Sequence, residues 1–211
     1  MKGLLLKDFY MTAKYCRSYL LIGIVFIAVS FAGPESQNMF FVFYPCLLCG
    51  MIPVNLLAYD ERSRWLEYSG TLPYTKAQLV SAKYLVGVIV QGVMLLAVGI
   101  AQAVRMQLAG SFRLGEYGMI MAAIFALATI TSSISLPFMF RWGVEKGRIV
   151  YLVMVGLFCG ISAVASIVLP DNIFAQAASF APALPLAFLA AVGLYALSWF
   201  LSTRFYGKRE L

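Results

Sequence analysis

Six apolar runs decide what this chain can fold into. They fall at about 18–33, 39–59, 84–104, 117–140, 149–169 and 183–203, and most approach the ~20 residues that a helix needs to cross the hydrocarbon core of a bilayer. Of the 211 residues 62% are hydrophobic and only 12% are charged, with a mean hydropathy of +0.87. That leaves too few polar groups to cover a water-soluble globule of this length. The expected fold class is all-α: a polytopic membrane protein with six transmembrane helices in a single domain, residues 1–211.

The charges orient it. Of the 16 Lys and Arg, only Arg105 and Arg113 fall in predicted outer loops. The others sit in the N-terminal segment, in the loops around 60–83 and 141–148, and in the tail from Arg204. The positive-inside rule therefore places both termini on the cytoplasmic side of a cell membrane. The net charge of +7 flanks apolar runs instead of gathering on one polar domain. It suits the lipid bilayer and its anionic headgroups, and argues against nucleic acid as a partner.

Residues 1–17 read as an interfacial amphipathic helix. At ~100° per residue Leu5, Leu6, Phe9, Ala13 and Cys16 share one face, with Lys7 and Lys14 opposite. A cleaved signal peptide fits less well, because Asp8 and Lys14 interrupt the apolar stretch and no small-residue cleavage pattern precedes Pro34.

The longest polar-rich stretch is DERSRWLEYSGTLPYTKAQLVSAK, residues 60–83, which reads as a water-exposed loop. A short amphipathic helix is expected to begin near Asp60, with Asp60 and Glu61 favourably placed in its first turn. It would carry Trp65, Leu66 and Tyr68, apolar groups that a solvated loop does not need. A break follows at Ser69-Gly70 and at Leu72-Pro73, since Pro73 disfavours helical geometry at Leu72. Thr75 with Gln78 then forms a capping-box pattern that opens the third span.

The order of that loop is an acid pair, Arg62, Trp65-Leu66, Glu67-Tyr68, Leu72-Pro73, then a polar helix ending in Lys83-Tyr84. It resembles the first cytoplasmic loop of small ABC-2 type transporter permeases. The resemblance extends to the whole topology: interfacial helix, six spans, and a short outer helix expected at 170–182, where Asp171 would cap Ile173, Phe174 and Phe180. It implies a coupling helix that docks in a groove of an ATPase subunit. The coupling residues would then be Asp60, Glu61, Arg62, Trp65, Leu66, Glu67, Tyr68, Leu72 and Pro73, with Leu5, Leu6, Lys7 and Phe9 marking the interfacial helix. It further implies a second permease chain, identical or homologous, and two copies of the ABC ATPase subunit. ATP and Mg would bind in that partner, with no cofactor in this chain. The closest likeness is to bacterial permeases that export phenol-soluble modulins or confer resistance to antimicrobial peptides, so the expected cargo is a hydrophobic or amphipathic peptide. The alternative is a non-transporting scaffold or immunity protein that docks a cytoplasmic partner through residues 60–68.

The chemistry that the sequence lacks supports a subunit without catalytic residues. Histidine is absent, as are HExxH and G-x-S-x-G patterns, so no metal site or serine hydrolase is expected. Asp60, Glu61 and Glu67 could serve a surface enzyme only with a metal or nucleotide pattern that is missing. Cys46-x-x-Cys49 has redox or metal spacing but no second pair, which favours core packing. No ionisable residue falls deep in a span, so a proton relay lacks its parts and energy must be borrowed. Asn55, Gln91, Thr131, Ser132 and Ser135 are the polar groups that could line a translocation path, with interhelical hydrogen bonding as their plainer role. Pro45 and Pro53 are expected to bend span two. Gly156-x-x-x-Gly160 permits close helix approach, within one chain or between two.

Overall fold

The computed structural model describes residues 2–32, 38–69, 71, 73–110, 112–168 and 184–207. Every regular element among them is a helix: α1 (Lys2–Tyr15), α2 (Arg17–Ala32), α3 (Asn38–Gly50), α4 (Ile52–Arg62), α5 (Trp65–Ser69), α6 (Lys76–Leu108), α7 (Leu114–Trp142), α8 (Val144–Val168) and α9 (Leu184–Gly207). The outer helix expected at 170–182, the coupling residue Leu72 and the end of the basic tail lie outside the described residues.

Among the described residues four helical stretches are long and apolar enough to cross a membrane: Phe41–Arg62 (α3 with α4), Lys76–Leu108, Leu114–Trp142 and Phe188–Gly207. A fifth span results if Lys2–Tyr15 and Arg17–Phe31, bent by 63°, count together. The bend falls at Cys16, one residue before Arg17, where the interfacial helix was expected to end. The third span is much longer than its 84–104 core, because its 33 residues at 1.5 Å each make a rod of about 50 Å against a hydrocarbon core of ~30 Å. It starts where the sequence says. Gln78 N–H donates to Thr75 Oγ1 at 3.3 Å while Thr75 N–H donates to Gln78 Oε1 at 3.1 Å, a complete capping box.

The second span is interrupted between α3 and α4 at Met51, with Pro53 in the first turn of α4, where its missing N–H costs nothing. Pro45 remains inside α3. Seven of the eleven residues of α4 are buried, which makes it the hub of the fold. Ile52 and Leu56 pack into one apolar cluster with Cys46, Cys49, Val86, Val90, Ile124 and Ala128. Val54 and Leu57 pack into a second with Val80, Tyr84, Leu136, Met139, Phe140 and Tyr206. Cys46 and Cys49 are thus core residues and unbridged. Gly87 lets α6 approach: a Cβ there would lie 2.9 Å from Pro53 Cγ.

Hydroxyl groups tie α9 to the bundle. Tyr84 Oη lies 2.7 Å from both Ser198 Oγ and Ser202 Oγ. Ser198 Oγ donates to the Ser133 carbonyl at 2.7 Å, and Tyr195 Oη donates to the Tyr84 carbonyl at 2.9 Å. Outward faces are apolar, with Leu21, Ile24, Val93, Leu96, Ile100, Leu152 and Leu189 all exposed. With lipid outside as apolar as the core, close packing and such interhelical hydrogen bonds hold a bundle of this kind together.

Candidate functional site

The segment between the second and third spans is where the expected functional residues concentrate, and its geometry differs from the expectation in one central respect. No new helix begins near Asp60. The second span continues as α4 through Arg62, so Asp60 and Glu61 occupy its last turn and not the first turn of a loop helix. Ser63 and Arg64 make the turn, Arg64 with a left-handed φ of 53°, and the short α5 follows with Trp65 at its start.

Asp60 is not in water. It is 2% exposed, and its carboxylate joins a cluster with Lys7 and Asp8 of α1 and Lys83 of α6. Lys83 Nζ lies 2.7 Å from Asp8 Oδ1 and 2.5 Å from Asp60 Oδ2. Lys7 Nζ lies 2.8 Å from Asp60 Oδ1 and 3.3 Å from Asp8 Oδ1. Two cations and two anions balance, and each carboxylate meets both ammonium groups. Taking four charges out of water is costly, and this mutual pairing is what offsets the desolvation. A void of only about 10 Å³ remains beside the cluster, walled by Leu4, Leu57, Trp65, Leu79, Phe140 and Tyr206. That is room for one water at most.

The cluster reorients α1. Its buried positions are Leu4, Asp8 and Thr12, continued by Cys16, a stripe at four-residue intervals. Of the apolar face expected to lie in the interface, Leu6 and Phe9 are exposed on the protein surface, while Leu5 is half-buried against the core. Lys7, expected on the face opposite, turns inward to Asp60 because a buried carboxylate outweighs the amphipathic pattern.

Lys7 also connects the cluster to α5. Its Nζ sits 4.2 Å from the centre of the Trp65 ring, an ammonium over an aromatic face. Trp65 is half-buried and touches Tyr68, ring centres 5.5 Å apart. Tyr68 is 58% exposed, so it is the aromatic group of α5 that faces outward. Leu66 and Glu67 belong to α5, with side chains outside the described residues; Arg62 and Pro73 are exposed. Glu61 is turned to α8, where its Oε2 accepts the Val144 N–H at 3.3 Å and supplies that helix with an N-terminal cap. Gly143, at φ 87°, gives the sharp turn from α7 that brings this N–H into reach.

Of the polar groups inside spans, Thr131 Oγ1 donates to the Leu127 carbonyl at 2.8 Å and Ser135 Oγ to the Thr131 carbonyl at 2.7 Å. These are bonds within α7 that satisfy buried hydroxyls locally. Ser132 is buried on the same helix. Asn55 and Gln91 differ, since Asn55 Nδ2 and Gln91 Nε2 are buried without a partner, as is Gln102 Oε1. Asn55 lines a polar cleft of about 570 Å³ between α4 and α8, with Ala58, Tyr59, Glu61, Arg62, Val144, Glu145 and Arg148. Among the described residues no group of three His, Cys, Asp or Glu side chains converges as metal ligands would.

Sequence reasoning missed Asp8 and Lys83 as site residues. The signal was present as two charges out of place, an acid on a lysine-rich amphipathic helix and a lysine just inside an apolar span.

The family model described as ABC-2 family transporter protein matches residues 3–207, nearly the whole chain. Searches of curated proteins and of solved structures returned no match. With apolar membrane-spanning helices and that match across its length, this multi-pass membrane protein belongs to the ABC-2 transporter permease family, non-catalytic transmembrane subunits that pair with an ABC ATPase.

Proposed function

We propose that the chain is the permease subunit of an ATP-driven exporter of hydrophobic or amphipathic peptides, with six spans, both termini in the cytoplasm, and ATP and Mg bound by two copies of a separate ATPase. The observation that carries this reading is α5: a one-turn helix with an outward Tyr68, joined through Trp65 and Lys7 to a buried charge cluster that grips α1, α4 and α6. An exposed aromatic on a short helix suits a groove in a partner. The cluster gives a push on that helix a rigid route into three membrane helices. Asp60 and Glu61 act on the inner side of this coupling element, and Arg62, Tyr68 and Pro73 on the partner side.

A second permease chain would sit on α8. Ile149, Leu152, Val153, Gly156, Leu157 and Gly160 form an outward stripe at helical spacing, and a Cβ at Gly156 or Gly160 would meet nothing within 4 Å. The glycine pair is therefore unused inside this chain among the described residues, which favours its use between two.

The test is to reconstitute the chain with its ATPase and compare Tyr68→Ala with Trp65→Ala. Tyr68→Ala should weaken ATPase association by about 2 kcal/mol, some thirtyfold. Trp65→Ala should retain more of the association but lose the stimulation of ATP hydrolysis by the permease. If both variants bind and stimulate as the parent does, α5 is not the coupling element.

A further inference from the structure

The last turn of α4 faces two ways. Asp60 and Glu61 are neighbours in sequence and so stand ~100° apart around the helix, which lets one carboxylate reach α1 and α6 while the other reaches α8. Glu61 Oε2 accepts the Val144 N–H at 3.3 Å, across 83 residues of chain, and the Val144 side chain packs with Val54 and Leu57 of the same α4. The first residue of α8 is thus fastened to α4 by backbone and by side chain.

A second fastening lies seven residues, about 10 Å, further along α8. There Tyr151 Oη donates to the Leu47 carbonyl of α3. That carbonyl is available because the Met51 N–H, its donor in an unbroken helix, bonds the Leu48 carbonyl at 3.0 Å instead. α8 is therefore pinned to the second span on both sides of the interruption at Met51, to α4 through Glu61 and to α3 through Tyr151. The polar cleft of about 570 Å³ opens between α4 and α8 from Asn55 to Arg148, and there packing between the two helices is interrupted.

We propose that Glu61 is a positioning residue for coupling, which carries a displacement of α4 into α8 when the docked ATPase binds ATP, with the break at Met51 as hinge and Tyr151 as the fixed point beyond it. Hinge motions are absorbed at the ends of elements, and at Met51 the carbonyl ladder has already given up the bond that bending a straight span would break. Asp60 holds the same turn to α1 and α6, so a push on α5 reaches both parts of the bundle through adjacent carboxylates. α8 is also the helix whose outward stripe a second chain would cover. The proposal rests on the docking of α5 given above.

The test uses the full chain reconstituted with its ATPase in lipid nanodiscs, with a bimane on a cysteine placed at the exposed Leu152 and with Cys159 replaced by Ala; Cys16, Cys46 and Cys49 are buried and escape the label. The shift in its emission on adding a non-hydrolysable ATP analogue reads α8. At saturating ATPase, Glu61→Leu should reduce that shift about fivefold or more, and Glu61→Gln, which keeps an acceptor, should restore it. Val144→Pro deletes the donor at the first helical position, where proline is tolerated and where Gly143, with ψ 171°, is already extended. It should reproduce Glu61→Leu, and the double variant should lose no more than either alone, because both remove one bond. A general loss of fold would instead add, and would not be rescued by Gln. Tyr68→Ala acts on docking, so its shift should return once the ATPase is saturating. A full-sized shift in both Glu61→Leu and Val144→Pro, or an unmoved probe in the parent complex, would overturn the relay through Glu61. Undiminished ATPase binding by Tyr68→Ala would overturn the docking of α5, and a shift still lost in Glu61→Leu would then support the relay on its own.

Discussion

Replacing Lys83 by Met removes one ammonium and keeps an unbranched stem of similar volume. Lys83 lies 2.7 Å from Asp8 and 2.5 Å from Asp60, and its side chain is 7% exposed. After the change two buried carboxylates share Lys7 alone. Breaking a buried ion pair by removing one partner costs about 3–5 kcal/mol, because the remaining charge is left in a low-dielectric site. Lys7→Met should cost less, about 1–2 kcal/mol, since the Lys7 side chain is 24% exposed and solvent already screens part of its interaction. The informative comparison is the double variant D8N/K83M. It leaves Lys7 and Asp60, still 2.8 Å apart, as a balanced pair. It should be more stable than K83M alone, with a coupling between the two changes of about 2 kcal/mol. Unfolding in mixed detergent micelles, followed by near-ultraviolet circular dichroism, measures the parent, D8N, K83M and D8N/K83M on one scale, with Lys7→Met alongside. If K83M falls within about 1 kcal/mol of the parent, or the double variant is no more stable than K83M, the cluster is not a buried charge network of the kind described.

Tyr84→Phe deletes a hydroxyl 2.7 Å from Ser198 and Ser202 and should cost about 1–2 kcal/mol in the same unfolding assay; an unchanged midpoint would show that this hydroxyl does not help to hold α9. Glu61→Leu removes the acceptor for the Val144 N–H, so amide exchange at the start of α8 should rise while Glu61→Gln, which keeps an acceptor, changes it little. For orientation, single cysteines at Leu108 and Leu114, both exposed, should react in intact cells with an impermeant maleimide when Cys16, Cys46, Cys49 and Cys159 are replaced. Cysteines at Ser63 and Lys146 should not react, and labelling at Ser63 would reverse the proposed topology.

Much of the frame was legible because it depends on local quantities. Length and apolarity define the second, third and fourth spans, and the Thr75–Gln78 box places the start of α6 correctly. The interruption of the second span near Pro53 was also readable, since a proline acts on its immediate neighbours. Trp65 and Tyr68 were recognised together as apolar groups in a polar loop, but nothing local distinguishes the ring that rests under Lys7 from the ring that faces outward.

What the sequence determined by itself is that the chain enters a membrane, is all helical, and presents a short aromatic helix between its second and third spans. The fate of the charges was decided by tertiary structure. Asp60 meets Lys7 across 53 residues, and Lys83 meets Asp8 across 75. An isolated carboxylate belongs in water, so a reading of residues 60–83 alone must place Asp60 and Lys83 there. Only when α1, α4 and α6 pack does each charge find two partners of opposite sign, and this pairing alone makes burial tolerable.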